Sequence, residues 1–192
     1  MNLIRLISTA IAVTPAFCGP TSGADLVSGE DDSATVVNCG TQSFNLAYHD
    51  EDPRSETDEY RLVGESSGEW TQLLTVQRLK PERAATPAQL MEFLEAHRES
   101  AGWDPLVVEG QGSRACVFRA EIAGRDGGSP LRVVGLVVDQ GAGEATPSLV
   151  VIHFTAKVSP NGRAQVEKSC AEWRQRFLNQ AAQANAAALP GR

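Results

Sequence analysis

The sequence predicts an α+β fold, in which a mainly antiparallel sheet carries a middle helix and a C-terminal helix packed on it. Several short segments alternate apolar and polar residues between turn residues, which is typical of strands. Two longer segments repeat apolar residues every three or four positions, which indicates amphipathic helices. Strands follow one another directly before and after the middle helix, and this order favours antiparallel pairing.

Residues 1–24 predict a secretory signal peptide. Arg5 precedes an apolar run over residues 6–13, and small residues follow the run. Cleavage fits after Ala16 or after Ala24, because a small residue stands at the third position before either cut. The run is far shorter than the ~20 residues of a membrane-spanning helix. We therefore expect a periplasmic or secreted protein with no transmembrane segment.

Cys18 lies just beyond the apolar run, so lipid attachment is an alternative to simple cleavage. Phe17 disfavours it, because bacterial lipoprotein processing requires a small residue before the cysteine. The position of the cut also decides whether Cys18 remains to pair with another cysteine.

The residues after the signal peptide are polar and acidic, and we predict that 25–43 form an exposed linker with room for a short strand over 35–37. A single α+β domain is predicted over 44–182. Alternation over 43–49 predicts its first strand, and an acidic connector leads to a hairpin partner at 60–66.

The segment GEWTQLLTVQRLKP, Gly68–Pro81, predicts the next strand. Trp70, Leu74 and Val76 fall in one row and are expected in the core. The polar residues of this strand are either a binding surface or merely its solvated side. The candidate partner-binding residues are Thr71, Thr75, Gln77 and Arg78.

The middle helix has recognisable ends. Thr86 is the expected N-cap, Pro87 fits the first helical position, and Gln89 completes the spacing of a capping box. Gly102 is placed to end the helix.

Strands are predicted next over 113–122, 131–139 and 148–158. Because 131–139 is apolar on both sides, both faces of the sheet should be covered at least in part. The last helix is expected to begin near 159–160, and the tail 183–192 should fray because it has little to bury. The helix has a stripe at helical spacing, made of Val166, Cys170, Trp173, Phe177 and Ala181.

Cys116 and Cys170 each fall on the apolar side of their element, and we predict a disulfide between them. The alternative is two separate buried thiols. Pairing of Cys116 with His153 as nucleophile and base is disfavoured, because the period of two places His153 opposite the core row of its own strand.

No cofactor or metal site is expected. The 3 histidines lie on separate elements, and the acidic segment 49–59 lacks the order and the turn glycine of an EF-hand. The formal net charge of -7 and the absence of a Lys/Arg cluster argue against a nucleic-acid partner.

The segments FNLAY, EYRLVGES, EWTQLLTVQ and ACVFRAEI, with the Pro-capped helix and the Trp-bearing last helix, resemble small exported bacterial proteins of uncharacterised function. Over about residues 44–180 the order of elements is similar to the Mog1/PsbP-like α/β/α sandwich. The resemblance implies a non-enzymatic accessory or protein-binding module, whose partner would be another envelope or secreted protein. The alternatives are an acidic periplasmic inhibitor of a basic enzyme such as lysozyme and a hydrolase with an unrecognised site.

Overall fold

The structure, a computed structural model, describes residues 36–39, 41–53, 55–66, 69–79, 86–123, 128–140 and 149–187. The predicted signal peptide with Cys18, the linker up to residue 35 and the tail from residue 188 lie outside these residues. The helices are α1 (Pro87–Ala101) and α2 (Arg163–Ala187). The strands are β1 (Val36–Cys39), β2 (Gln42–Asp52), β3 (Ser55–Leu62), β4 (Gln72–Leu79), β5 (Val107–Glu109), β6 (Ala115–Ile122), β7 (Leu131–Asp139) and β8 (Leu149–Lys157).

The described strands form one sheet in the order β1-β2-β3-β4-β8-β7-β6-β5. Every neighbouring pair is antiparallel. β1–β4 form one meander and β5–β8 form another, and the two join where β4 pairs with β8. In the chain, α1 connects β4 with β5 at the far edge of the sheet. The predicted α+β class with a mainly antiparallel sheet is confirmed.

One face of the sheet, here called the α2 face, packs against α2. Trp173 stacks on Phe154 of β8 with ring centroids 5.3 Å apart, and its ring meets Phe44 of β2 edge-on at 6.2 Å. Phe177 adds a further ring 5.4 Å from Trp173. The predicted helical stripe is confirmed as part of the buried side of α2. An aromatic cluster therefore joins the C-terminal helix to both meanders.

The opposite face, here called the α1 face, is apolar over β6, β7 and part of β8, and α1 packs there through Met91 and Leu94. A Cβ built on Gly135 of β7 would lie 2.2 Å from the ring of Phe118 on β6. The ring thus occupies the space that a side chain at this position would need, and a glycine is required there.

Both predicted ends of α1 are confirmed. The Thr86 side chain accepts a hydrogen bond from the backbone N–H of Gln89 at 3.2 Å. Gly102 ends the helix with φ 73, a left-handed conformation that glycine adopts without a steric penalty.

Two segments predicted to be mainly irregular contain strands, although a short strand over 35–37 was allowed for in the first of them. β1 lies within the predicted linker, and its residues Val37 and Cys39 are buried. β3 begins at Ser55, within the predicted acidic connector, and Asp58 is only 5% exposed. The polar composition of these two segments suggested that they are exposed to solvent. Instead, pairing with neighbouring strands satisfies the backbone groups of both segments.

Two smaller predictions are wrong. Trp70 is only half-buried, precedes β4, and packs against Lys157 with Nζ 4.0 Å from the ring centroid, so it does not continue the core row of Leu74 and Val76. Residues 183–187 are helical rather than frayed, because Asn185 bonds to the segment before β6.

Candidate functional site

A cleft of about 570 Å³ lies on the α2 face near the edge strand β5. We call it the arginine–glutamate cleft. Val134 of β7 and Cys170 and Ala171 of α2 give it apolar lining, and Val107 of β5 stands at its border. The charged lining residues are Asp104, Arg119, Glu121, Arg132, Glu167 and Arg174. Its volume falls within the range of small-molecule and peptide sites.

Beside the cleft, Glu109 of β5 is the centre of an ion-pair group that includes two lining arginines. This carboxylate accepts hydrogen bonds from Arg174 of α2 at 2.6 Å and from Arg119 of β6 at 2.8 Å. The bond from Arg174 is the main reason that the pKa of Glu109 is lowered, and Arg119 adds to it. Three elements are thereby tied together by one charged side chain.

The second group is centred on Arg132 of β7. Its guanidinium donates to Glu121 of β6 at 2.7 Å and to Glu167 of α2 at 3.1 Å. The side chain of Arg132 is 23% exposed, so it is partly withdrawn from water but open to a ligand. A guanidinium carries five N–H donors, and these contacts leave donors for further bonds.

Strand periodicity brings these residues together. Arg119 and Glu121 alternate with Phe118 and Ala120, which belong to the core on the α1 face, so the charged pair points to the α2 face. Arg132 is the cross-strand partner of Glu121. Because the pairs are partly exposed, their main effect is to hold the guanidinium groups in position rather than to stabilise the fold.

The cleft was not predicted from the sequence. The alternating charges in CVFRAEI were a usable signal, since Arg119 and Glu121 interrupt the apolar character of β6 on one side only. Glu167 and Arg174 are seven residues apart on α2 and therefore share a helix face.

The predicted partner-binding residues do not form one surface. Thr75 and Gln77 are each only 2% exposed, so the prediction that they are available to a partner is wrong. They lie in the middle of the sheet, where β4 is flanked by β3 and β8. Thr71 is exposed and bonds to Glu65 through its hydroxyl and its backbone N–H.

Arg78 also has a role within the fold. It bonds to Glu56 of β3 at 2.9 Å, and its side chain is 33% exposed. Thr71 precedes β4 and Arg78 lies near the other end of this strand, so the two accessible residues of the predicted set are far apart.

The predicted disulfide is wrong, because Cys116 and Cys170 are separate buried thiols. Cys116 belongs to the core on the α1 face and Cys170 to the core on the α2 face, so the sheet lies between them. Each residue does point into a core, as its periodicity indicated. The sequence did not show that the two cores are on opposite faces.

Neither thiol is activated. Burial raises the pKa of Cys116 and that of Cys170 to about 11. The sequence analysis placed His153 and Cys116 on different sides, but strand register places both on the α1 face. His153 lies in the neighbouring row, with Gly135 and Phe118. Cys116 is fully buried and lacks the exposure and low pKa of a catalytic nucleophile.

A buried carboxylate links β2 with β3. Asp58 contacts Nδ1 of the exposed His49 at 2.9 Å and accepts a hydrogen bond from the Tyr60 hydroxyl at 3.3 Å. The hydrogen bond to Asp58 is the main cause of the raised pKa of His49, and the nearby Glu51 and Glu56 act in the same direction.

This contact predicts a pH-dependent stability. A raised folded-state pKa means that protonated His49 stabilises the fold fully below its unfolded pKa of about 6.5, and the gain is lost as pH rises through the folded pKa. Chemical unfolding of the protein and of His49→Gln should therefore differ more at about pH 5.5 than at about pH 8.5. A difference that grows with pH would contradict the assignment.

Within the described ranges, no group of three or more His, Cys, Asp or Glu residues is arranged to hold a metal ion. No described helix is both long and apolar enough to cross a membrane.

No protein-family model matches the chain, and no curated protein matches its sequence. Among solved structures it is similar to the Ran-binding protein Mog1p of Saccharomyces cerevisiae, with 11% identity, 79% of this chain and 86% of that chain covered, and a TM-score of 0.47. It is also similar to a mutant of protein Mog1, with 12% identity, 81% and 94% coverage and a TM-score of 0.45. Both are Mog1 structures, as the resemblance predicted.

Proposed function

We propose that the chain is a non-enzymatic binding module that acts in the cell envelope or outside the cell and holds a partner polypeptide in its arginine–glutamate cleft. The observation that carries the proposal is the cleft itself, in which fixed guanidinium groups stand beside apolar lining. Arginine is enriched among the residues that dominate protein–protein binding energy.

The border of the cleft supports a macromolecular ligand. Val107, which lines the cleft, is 45% exposed and belongs to the edge strand β5. Exposed apolar side chains beside charged groups match the mixed character of protein interfaces. The charges around the cleft are of both signs, which suits a polypeptide with both donors and acceptors better than a purely anionic ligand.

The N-terminal sequence pattern, with its basic residue, apolar run and small residues, supports the proposed extracellular or periplasmic location. The partner is therefore to be sought among exported proteins. N-terminal sequencing of the exported chain should give Phe17 or Asp25 as its first residue, and an intact N-terminus in the exported fraction would contradict the proposed processing.

The test compares Arg132→Ala with Lys168→Ala. Both remove one positive charge from the same region of the molecule, but Lys168 is an exposed residue of α2 that does not line the cleft. A partner that the unmodified chain retains from the exported fraction should bind Arg132→Ala at least about tenfold more weakly. Replacing an arginine at the centre of an interface commonly lowers affinity by this much. Lys168→Ala should bind as before.

Retention of the partner by Arg132→Ala at full affinity would contradict the proposal. So would turnover of a substrate by the purified chain. Thermal unfolding of both variants provides the control for folding. Any loss of stability in Arg132→Ala should be small, because the carboxylates that pair with Arg132 are exposed to water.

A further inference from the structure

We propose that the arginine–glutamate cleft holds one acidic side chain, Glu or Asp, which projects from an otherwise uncharged segment of the partner polypeptide, an assignment that rests on the proposed function. The carboxylate bonds to Arg119 and Arg132, and the apolar neighbours of the acidic residue contact Val107, Val134 and Cys170 in the lining. The partner is thereby defined by a single carboxylate set between apolar residues.

The arginines at the rim of the cleft have more N–H donors than their carboxylate can use. Arg119 and Arg174 both bond to Glu109, at 2.8 and 2.6 Å. A guanidinium has five N–H donors, whereas a carboxylate has about four acceptor sites, so Glu109 satisfies only part of the two groups. The side chains of the two arginines are 46% and 40% exposed. Donors therefore remain for a bound carboxylate, which arginine can hold with two parallel hydrogen bonds.

Sheet register places Arg119 and Arg132 close enough to share one carboxylate. Arg119 pairs with Val134, two residues beyond Arg132, so the two arginines are diagonal neighbours on one face of β6 and β7. Diagonal neighbours in antiparallel strands lie about 7–8 Å apart, within reach of long side chains. The side chain of Arg132 is 23% exposed, against 46% for Arg119. An acidic group must therefore extend into the cleft to reach Arg132, as a Glu or Asp side chain does.

The charge balance of the cleft limits the ligand to one negative group. The three lining arginines are matched by three lining carboxylates, those of Asp104, Glu121 and Glu167. A run of acidic residues, or a phosphate group with a charge of about -2, would meet these carboxylates with like charge. The formal net charge of -7 also opposes the approach of a strongly acidic segment. One carboxylate between uncharged residues gains the arginine bonds with the least repulsion.

The lining extends to both sides of Arg132, which favours a side chain over a chain terminus as the source of the carboxylate. Val107 and Arg119 lie on the side of β5, and Glu167 and Cys170 lie on the side of α2. A residue inside a segment has neighbours on both sides to contact this lining. A C-terminal residue has a neighbour on one side only and would leave part of the lining exposed.

The probe is the peptide Thr-Val-Glu-Val-Thr with blocked ends, called the Glu peptide below. We expect saturable binding to the unmodified chain, and about tenfold weaker binding of Thr-Val-Gln-Val-Thr, the Gln peptide, which lacks only the charge. The same sequence with phosphoserine in the central position, and the Gln peptide with a free C-terminus, should both bind more weakly than the Glu peptide. Equal binding of the Glu and Gln peptides, no binding of the Glu peptide, or tighter binding of either other form would overturn the proposal.

Variants of the chain show whether the arginines recognise the charge of the peptide. Arg119→Ala and Arg132→Ala should each bind the Glu peptide about tenfold more weakly and should bind the Gln peptide nearly as well as the unmodified chain does. Damage to the fold would instead weaken both peptides alike, and Arg119, at 46% exposed, is the safer position for folding. Lys168→Ala should bind the Glu peptide normally, because Lys168 is exposed and does not line the cleft. An equal loss of both peptides in a folded Arg119→Ala, or an equal loss of the Glu peptide in Lys168→Ala, would overturn the proposal.

Competition separates this proposal from the proposed function. The Glu peptide should displace a partner that the unmodified chain retains from the exported fraction, and the Gln peptide should need about tenfold more to do so. A partner that is lost from Arg132→Ala but is not displaced by the Glu peptide would overturn the carboxylate assignment and leave the proposed function in place. If the cleft retains no partner and the Glu peptide still binds through Arg119 and Arg132, the carboxylate site is supported and the proposed function is wrong.

Discussion

Replacement of Trp173 with alanine should destabilise the protein by about 3–5 kcal/mol, the usual cost of removing a buried large aromatic side chain. Trp173 is 5% exposed and contacts the rings of Phe44, Phe154 and Phe177. Alanine would leave a cavity between α2 and the sheet where the indole ring packs. Equilibrium unfolding in denaturant measures the loss directly.

Phe93 provides the matched control for Trp173. It is an aromatic residue on a helix, but it is 39% exposed, and its ring contact among the described residues is with His97 of its own helix. Phe93→Ala should cost less than about 1 kcal/mol. If the two substitutions cost the same, the aromatic cluster is not the main contact between α2 and the sheet.

Asn185→Ala should cost about 2 kcal/mol and loosen the last turns of α2. The Asn185 side-chain oxygen accepts from the backbone N–H groups of Arg114 and Ala115 at 3.0 and 2.9 Å. Its amide nitrogen donates to the carbonyl of Ala115 at 3.1 Å and to that of Gly110 at 3.4 Å. Alanine at position 185 removes all four hydrogen bonds. The backbone groups at and near the buried Ala115 then lose the partners that Asn185 provides.

Hydrogen exchange checks this prediction, since amides in the last turns of α2 and near residues 110–115 should exchange faster in Asn185→Ala. Asn179→Ala is the control, because Asn179 is exposed on the same helix and accepts a hydrogen bond from Gln175 of that helix. Unchanged exchange in Asn185→Ala would show that α2 needs no such anchor at its end.

Local patterns in the sequence predicted the elements but not their partners. The ends of α1 depend on Thr86 and Gly102 and were therefore predicted correctly. The sequence allowed only a possible short strand over 35–37 within the linker, because a strand of four residues depends on its neighbour β2 rather than on its own composition. Burial of Asp58 likewise depends on His49 and Tyr60, which reach it from neighbouring positions in the sheet.

The site was harder to predict for the same physical reason. Periodicity showed that Cys116 and Cys170 are buried, but the face that each helix covers is set by tertiary packing. Glu109, Arg119, Arg132 and Arg174 come from four different elements, and only sheet register and helix placement bring them together. Thr75 and Gln77 looked accessible because a polar side of a strand is usually solvated, whereas here this side of β4 is buried at the centre of the sheet.

Site-specific photo-crosslinking at Val107 tests the central claim most directly. Val107 borders the arginine–glutamate cleft and is 45% exposed, so a crosslinker placed there lies within reach of a bound polypeptide. We expect a discrete adduct with an exported protein from Val107, no such adduct from the same crosslinker at Phe93, and loss of the Val107 adduct on Arg132→Ala. The same adduct from both positions, or an adduct at Val107 that persists in full when Arg132 is replaced, would contradict a binding site in the cleft.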